Sequence, residues 1–279
     1  MTTIRELDIK VCAAPGKGKT DGKGNAEATR SLPVKQGGGH PTTQHVWALI
    51  LALARNVAAD DRVVKETGGW QTELAIGLAG KTLGLVGFGR IGSHVARVGV
   101  LAFGMKVVCW SENLTQDKAD GLADEAGLPV VGGGIVRDDE KTFRVVGKED
   151  VFKADVVSVH YVLSERSRGI VGREELGWMK ASGLLVNTSR GPLVDEAALL
   201  DTLRNGRIRG AALDVFDIEP LPADSPWRTE DWGAKGKSRV LLTPHMGYVE
   251  EGTMQTWYEE TAENVERLVE GKELLHCVT

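Results

Sequence analysis

Three titratable or charged side chains stand just beyond apolar runs in the second half of the chain. They are Arg190 in VNTSRGPLVDEAAL, Glu219 in ALDVFDIEPLP and His245 in LLTPHMGY. In open α/β sheets, ligands bind at the carboxyl ends of the strands. One cation, one carboxylate and one imidazole gathered there suit hydride transfer to a 2-oxo acid. The imidazole gives a proton to the carbonyl oxygen, and the carboxylate orients the ring and stabilises its charge. The guanidinium grips the substrate's carboxylate and polarises the carbonyl. The plainer alternatives are a structural Arg190–Glu219 ion pair and a structural histidine at 245.

A hydride needs a carrier, and GLVGFGRIG supplies the spacing for one. Gly87, Gly89 and Gly92 follow an apolar run and open a helical one, as in a dinucleotide-binding turn. Gly87 permits the tight turn, Gly89 lets the backbone approach a pyrophosphate, and Gly92 lets helix and strand pack closely. The helix N-terminus then faces the phosphates. About 20 residues on, where an NAD site has an acidic residue for the ribose, stand Ser111 and Glu112. Serine removes the usual charge barrier to a 2′-phosphate, but no Arg or His follows to attract one. The choice between NAD and NADP stays open, with a lean to NAD. A second glycine stretch, AAPGKGKT at 13–20, fits a loosened phosphate-loop pattern. The residues after it lack a helical period and carry further glycines, so it reads as a loop.

These residues need a scaffold, and the pattern from residue 80 onward provides one. KTLGLVGFG, MKVVCW, ADVVSVHYV, SGLLVNTS, RGAALDVF and SRVLLTP read as strands. Helical stretches lie between them, among them RIGSHVARVGVLAFG, LTQDKADGLADEAG and DEAALLDTLRNG. Short, unalternating apolar strands separated by helices predict an α/β fold with a doubly wound parallel sheet. Residues 130–147 read as an inserted loop or hairpin. PTTQHVWALILALARNV predicts a helix capped by Thr42 or Thr43 and apolar nearly all round, hence set between domains or in a subunit interface. The C-terminal stretch EEGTMQTWYEETAENVERLVEGK predicts one amphipathic helix ending at Gly271.

Composition narrows the classes. With 34 basic against 39 acidic residues, the net charge of −5 offers no general attraction to nucleic acid or an anionic membrane. The apolar run at 46–54 is too short to span a bilayer, and the opening residues lack the apolar core of a secretory signal, so a cytoplasmic address is expected. Cys12, Cys109 and Cys277 are widely spaced and odd in number. They suggest neither a disulfide framework nor a zinc site, and no metal is expected.

Taken in order, GLVGFGRIG, VNTSRGPLVDEAAL, ALDVFDIEPLP and LLTPHMGY closely resemble the D-isomer-specific 2-hydroxyacid dehydrogenases. HPTTQHVWALILALAR and WSENLT resemble a phosphoglycerate-dehydrogenase-like branch. The resemblance covers about residues 40–272. It implies a Rossmann-type sheet and an NAD(P)-dependent enzyme interconverting a small D-2-hydroxy acid and its 2-oxo acid. It further implies Arg190 as substrate-binding and catalytic, Glu219 as partner carboxylate and His245 as acid/base. The dinucleotide would meet Gly87, Gly89, Arg90, Ile91, Gly92, Ser111, Tyr161, Val162, Ser167, Thr188, Ser189, Arg190, Asp214, His245 and Gly247. Among these, Asp214 would hold the nicotinamide carboxamide. His160, at a family strand end, is as easily structural as catalytic. Val162 departs from the family's usual proline, which puts the edge of the pocket in doubt.

The resemblance also sets expectations for organisation. Residues 1–41 resemble a remnant of a second, flavodoxin-like substrate domain followed by a Gly/Lys-rich loop. Residues 42–248 would be the NAD(P)-binding domain, and 249–279 a helix returning toward the substrate domain. A homodimer through the 44–57 helix is expected. Because only the end of the substrate domain is recognisable, the chain is expected to bind dinucleotide but turn over 2-oxo acids poorly or not at all. The other readings are an NAD(H)-binding corepressor-like protein and a catalytically impaired family member.

Overall fold

Strands rich in Val and Leu, with every residue of the central ones buried, must be covered on both faces. The computed structural model describes residues 9–16 and 40–278 and shows this arrangement. Seven parallel strands run β1 (Thr82–Val86), β2 (Lys106–Trp110), β3 (Phe143–Val145), β4 (Val156–Val159), β5 (Leu184–Asn187), β6 (Gly210–Leu213) and β7 (Arg239–Leu242). Their spatial order is β3-β2-β1-β4-β5-β6-β7. The order reverses between β1 and β4, which opens the crevice where such sheets bind ligands. Because all neighbours are parallel, the carboxyl ends of all strands share one edge.

One face is covered by α1 (Pro41–Ala54), α2 (Arg90–Phe103) and α3 (Gln116–Glu125), whose apolar side chains form one core with Leu83, Leu85, Val107 and Phe143. The opposite face carries α4 (Lys148–Phe152), α5 (Arg173–Trp178) and α6 (Glu196–Arg204), packed on Val86, Val157, Leu185 and Ala211.

Three local expectations change. Helix α1 begins two or three residues earlier than predicted: His40 is its cap, accepting from Thr42 N–H at 3.2 Å, with Pro41 in the first turn. Proline's fixed φ is preorganised for that position, which favours the earlier start. The apolar character of α1 is explained by its own sheet: Val46, Leu49, Ile50 and Leu53 are buried, and the helix packs on α2, β5, β6 and β7. Within 130–147, an antiparallel bridge joins Val131 to Lys141, but Phe143–Val145 is the sheet's edge strand, pairing parallel with β2. Three residues are too short for a periodic signal; the fully buried Phe143 anchors them.

The described residues 40–247 form one compact unit, and 9–16 with 248–278 belong to another. The second unit carries α7 (Glu251–Val269), capped by Glu250, whose carboxylate accepts from Gly252 and Thr253 N–H. Gly271 follows its end at φ 70°, and Tyr248 lies against Trp257. Cys12 and Cys277 face each other across an isolated antiparallel bridge, a pairing that their spacing in sequence did not suggest. In the AAPGKGKT stretch, Gly16 N–H donates to Glu260 Oε2 at 2.8 Å. A carboxylate already takes that donor, and its charge would repel a phosphate there. The rest of the stretch, 17–20, lies outside the described residues. Among the described residues no helix is long and apolar enough to cross a membrane.

Candidate active site

The turn after β1 realises the three glycine roles in atoms. Gly87 has φ 89°, a conformation side chains resist, and a Cβ there would stand 2.6 Å from the backbone of His160 and Tyr161. A Cβ on Gly92 would stand 2.9 Å from Gly87 O, so α2 sits directly on the turn. At Gly89 a Cβ would meet nothing within 4 Å. The missing side chain leaves open space there, at a helix N-terminus with no side-chain cap. Arg90 and Ile91 open α2, and the first-turn N–H groups of such a helix suit a pyrophosphate. That combination fits a dinucleotide.

Around this turn the strand ends are tied together by hydrogen bonds. Ser111 and Glu112 follow β2, and Glu112 N–H donates to Tyr161 Oη at 3.2 Å. The Tyr161 ring stacks on Trp110, with centroids 6.0 Å apart, and its carbonyl accepts from Ser189 Oγ at 2.9 Å. Tyr161 thus joins the loops after β2, β4 and β5. Val162, where the family resemblance leads one to expect proline, is 80% exposed. Ser167 is buried, and its hydroxyl is spent inside its own loop, donating to Val162 O at 2.8 Å and accepting from Ser164 N–H at 2.7 Å. Both bonds lie within the loop that follows β4. His160 is held by Ser158, with Oγ to Nε2 at 2.9 Å. Dense surroundings push this imidazole down to about 4, so it is neutral at ordinary pH.

Beyond β5, Asn187 organises the Thr188-Ser189-Arg190 turn. Its side chain accepts from Ser189 N–H at 3.1 Å and donates to Arg190 O at 3.0 Å. Thr188 is buried, and its hydroxyl lacks a protein partner. Arg190 Nη1 donates to Ser189 O at 2.6 Å, and the residue remains exposed.

His245 and Glu219 meet: Nδ1 lies 2.6 Å from Oε2, and both side chains keep about a third of their exposure. The other carboxylate oxygen, Oε1, accepts from Phe216 N–H at 2.8 Å. Partial burial pushes Glu219 up, but the His245 hydrogen bond, the Phe216 N–H and the charge of Arg190 outweigh it. The carboxyl is therefore held below its usual range. Arg190 reaches this pair through its charge rather than by a direct ion pair.

The loop carrying His245 is strained and firmly anchored. His245 has φ 57°, uncommon for a side chain of this size. Its N–H donates to Asp214 O at 2.8 Å. The Asp214 carboxylate, with no exposure at all, accepts from Met246 N–H at 2.8 Å and Gly247 N–H at 2.9 Å. Thr243 Oγ1 donates to it as well, and His45 Nε2 on α1 lies 3.1 Å from Oδ1 and 3.0 Å from Thr243 Oγ1. The predicted residues Asp214 and Gly247 thus bond to one another and fix the loop on which His245 stands. Sequence reasoning missed Asn187, Thr243 and His45. The available signals were a polar residue ending an apolar strand and one histidine inside an apolar helix.

The chain matches known proteins in sequence and in fold. The family model described as D-isomer specific 2-hydroxyacid dehydrogenase, NAD binding domain, matches residues 47–247. The chain belongs to that family. A glyoxylate reductase of Aeropyrum pernix is 35% identical over 240 residues, covering 83% of this chain and 64% of that protein. A D-3-phosphoglycerate dehydrogenase of Methanocaldococcus jannaschii is 34% identical over 226 residues, covering 80% of this chain and 38% of the other. In structure, a phosphoglycerate oxidoreductase from Vibrio cholerae aligns with TM-score 0.69 and 31% identity, covering 84% of this chain and 68% of that one. The chain spans less than two thirds of the length of these two curated relatives. As a D-2-hydroxyacid dehydrogenase family member it carries the nicotinamide-cofactor domain, with Arg190, Glu219 and His245 at one edge of its sheet.

Proposed function

We propose that this chain carries the hydride-transfer site of a 2-hydroxyacid dehydrogenase acting on a small 2-oxo acid and its D-2-hydroxy acid. The observation that carries the reading is the 2.6 Å His245–Glu219 contact, with the charge of Arg190 acting on the same carboxylate. A carboxylate on Nδ1 fixes the ring and its tautomer, so that in this reading Nε2 is the atom that exchanges a proton with the substrate. In reduction His245 gives its proton to the carbonyl oxygen, and in oxidation it takes the hydroxyl proton back. Glu219 holds the ring and balances its charge. Arg190, exposed and cationic, binds the substrate carboxylate and draws electron density toward the carbonyl oxygen.

When bound, a nicotinamide dinucleotide supplies or accepts the hydride. The turn at Gly87, Gly89, Arg90, Ile91 and Gly92 would hold its pyrophosphate, and Ser111 a ribose hydroxyl. Tyr161, Val162, Ser167, Thr188, Ser189 and Asp214 would border its nicotinamide half, Ser167 by shaping the loop. The unpartnered Thr188 hydroxyl is a group such a ligand would satisfy. NAD is favoured over NADP, since Ser111 offers no charge to a 2′-phosphate and Glu112 beside it is acidic. Glyoxylate and hydroxypyruvate, named among the relatives' activities, are the first substrates to test. Two copies would associate through the outer side of α1, where Ala48 is exposed, and through the apolar Val57 and Val64 that follow it, each more than half exposed. Light scattering of the purified chain tests this. NADH and NADPH oxidation against glyoxylate, hydroxypyruvate, pyruvate and 3-phosphohydroxypyruvate tests the function. Slow oxidation of NADH by at least one acid is expected, and none with any of them defeats the reading.

A further inference from the structure

Cys12 and Cys277 are 265 positions apart in the chain, yet their sulfurs lie 3.2 Å apart. Ala13 N–H donates to His276 O at 3.0 Å, and Val278 N–H to Val11 O at 2.8 Å. These flanking bonds make the cysteines a non-hydrogen-bonded pair of an antiparallel bridge. Such pairs set their Cα atoms about 4.5 Å apart, inside the roughly 4.4–6.8 Å that a disulfide spans. The sulfurs need to close by about 1.2 Å to reach a bond of roughly 2.05 Å, which a small side-chain rotation supplies. Cys277 is exposed and Cys12 half-buried, so a small reagent can reach the pair. Cys109 is buried in β2, and burial pushes its thiol up to about 12, which keeps it inert.

We propose that Cys12 and Cys277 form a dithiol–disulfide couple, oxidised by exchange with a low-molecular-weight disulfide. The exposed Cys277, as thiolate, attacks one sulfur of the small disulfide. That S–S bond breaks, and one small thiol leaves while Cys277 carries the other as a mixed disulfide. Cys12 then loses its proton and attacks Cys277 Sγ; the mixed disulfide breaks and the second small thiol leaves. Two electrons pass from the protein thiols to the small disulfide, and the protons shed by the cysteines end on the two released thiols. The order follows from the environment. The hydrogen bond that the Cys12 S–H donates to Cys277 Sγ, together with partial burial and the charge of a Cys277 thiolate, holds Cys12 above the ordinary thiol value. Capping Cys277 removes that hydrogen bond and frees Cys12 for the second step. The product ties residues 9–16 covalently to the segment after α7, closing a loop around almost the whole chain.

The test incubates the purified full chain with oxidised glutathione, then reads intact mass, non-reducing peptide maps and thermal melting. The expected product is a monomer lighter by two hydrogen atoms, with a Cys12–Cys277 linked peptide and a raised melting temperature, reversed by dithiothreitol. In Cys12→Ser the reaction is expected to stop at a stable glutathione adduct on Cys277, with no rise in melting temperature. A stable glutathione adduct on Cys277 of the unmutated chain would overturn the proposal. So would a disulfide between two chains, or a Cys12–Cys277 bond that forms only in denaturant.

Discussion

Replacing Asp214 with asparagine probes how the His245 loop is held. The carboxylate is fully buried and accepts from Thr243, Met246 N–H, Gly247 N–H and His45. Asparagine keeps one oxygen, which can serve the three donors converging on Oδ1. Its amide nitrogen then faces Gly247 N–H, donor against donor. One hydrogen bond to a charged group is lost, about 1.5–3 kcal/mol, and a buried N–H is left unpaired at about 1–3 kcal/mol. Removing a buried charge returns part of this, so the net loss is expected near 2–4 kcal/mol. Against a total of about 5–15 kcal/mol for a domain, that is a large share. Urea unfolding followed by circular dichroism should show a lower midpoint with an unchanged slope. A midpoint equal to that of the unmutated chain would refute the idea that this carboxylate anchors the loop. Thr243→Val, which removes one donor and leaves the acceptor intact, should lose less.

Other perturbations separate the remaining roles. Glu219→Gln replaces a charged partner of His245 by a neutral one, a difference of about 1–1.5 kcal/mol; turnover in 2-oxo-acid reduction should fall roughly five- to twelvefold, with NADH binding preserved. The Glu219 carboxyl is held below its usual range, so its contribution to stability is complete above the unfolded value. It disappears only as pH falls through the lower folded value; a chemical-denaturation series on the acid side should lose this decline in Glu219→Gln. Gly89→Ala adds a methyl to open space and should leave the melting temperature unchanged. Dinucleotide affinity, measured by NADH fluorescence, should drop roughly five- to hundredfold, from about 1–3 kcal/mol of overpacking against the ligand. Ser111→Asp should sharpen preference for NADH by repelling a 2′-phosphate, and an unmutated chain that strongly prefers NADPH would contradict the reading of that strand end.

What could be read in advance was what depends on local pattern. β4, β5 and β6 are short, mostly apolar runs without alternation, and each is buried throughout. Gly87, Gly89 and Gly92 carried their spacing in plain text, and Arg190, Glu219 and His245 each follow a strand. Pairings over long separations were hidden. Nothing near Asp214 in sequence announces His45, 169 positions away, and an odd cysteine count concealed the contact of Cys12 with Cys277. β3 was missed because its three residues owe their place to Phe143 entering a core built elsewhere. The cap of α1 was misplaced because histidine is an infrequent N-cap beside two adjacent threonines.

The direct test of the site is His245→Asn compared with the unmutated chain for NADH consumption by glyoxylate or hydroxypyruvate, with NADH binding measured in parallel. Acid catalysis by His245 predicts slow but measurable turnover in the unmutated chain and a loss of about a hundred- to ten-thousand-fold in the variant, with NADH binding preserved. Near-normal turnover in His245→Asn, or an unmutated chain that binds NADH and reduces neither acid, would contradict it.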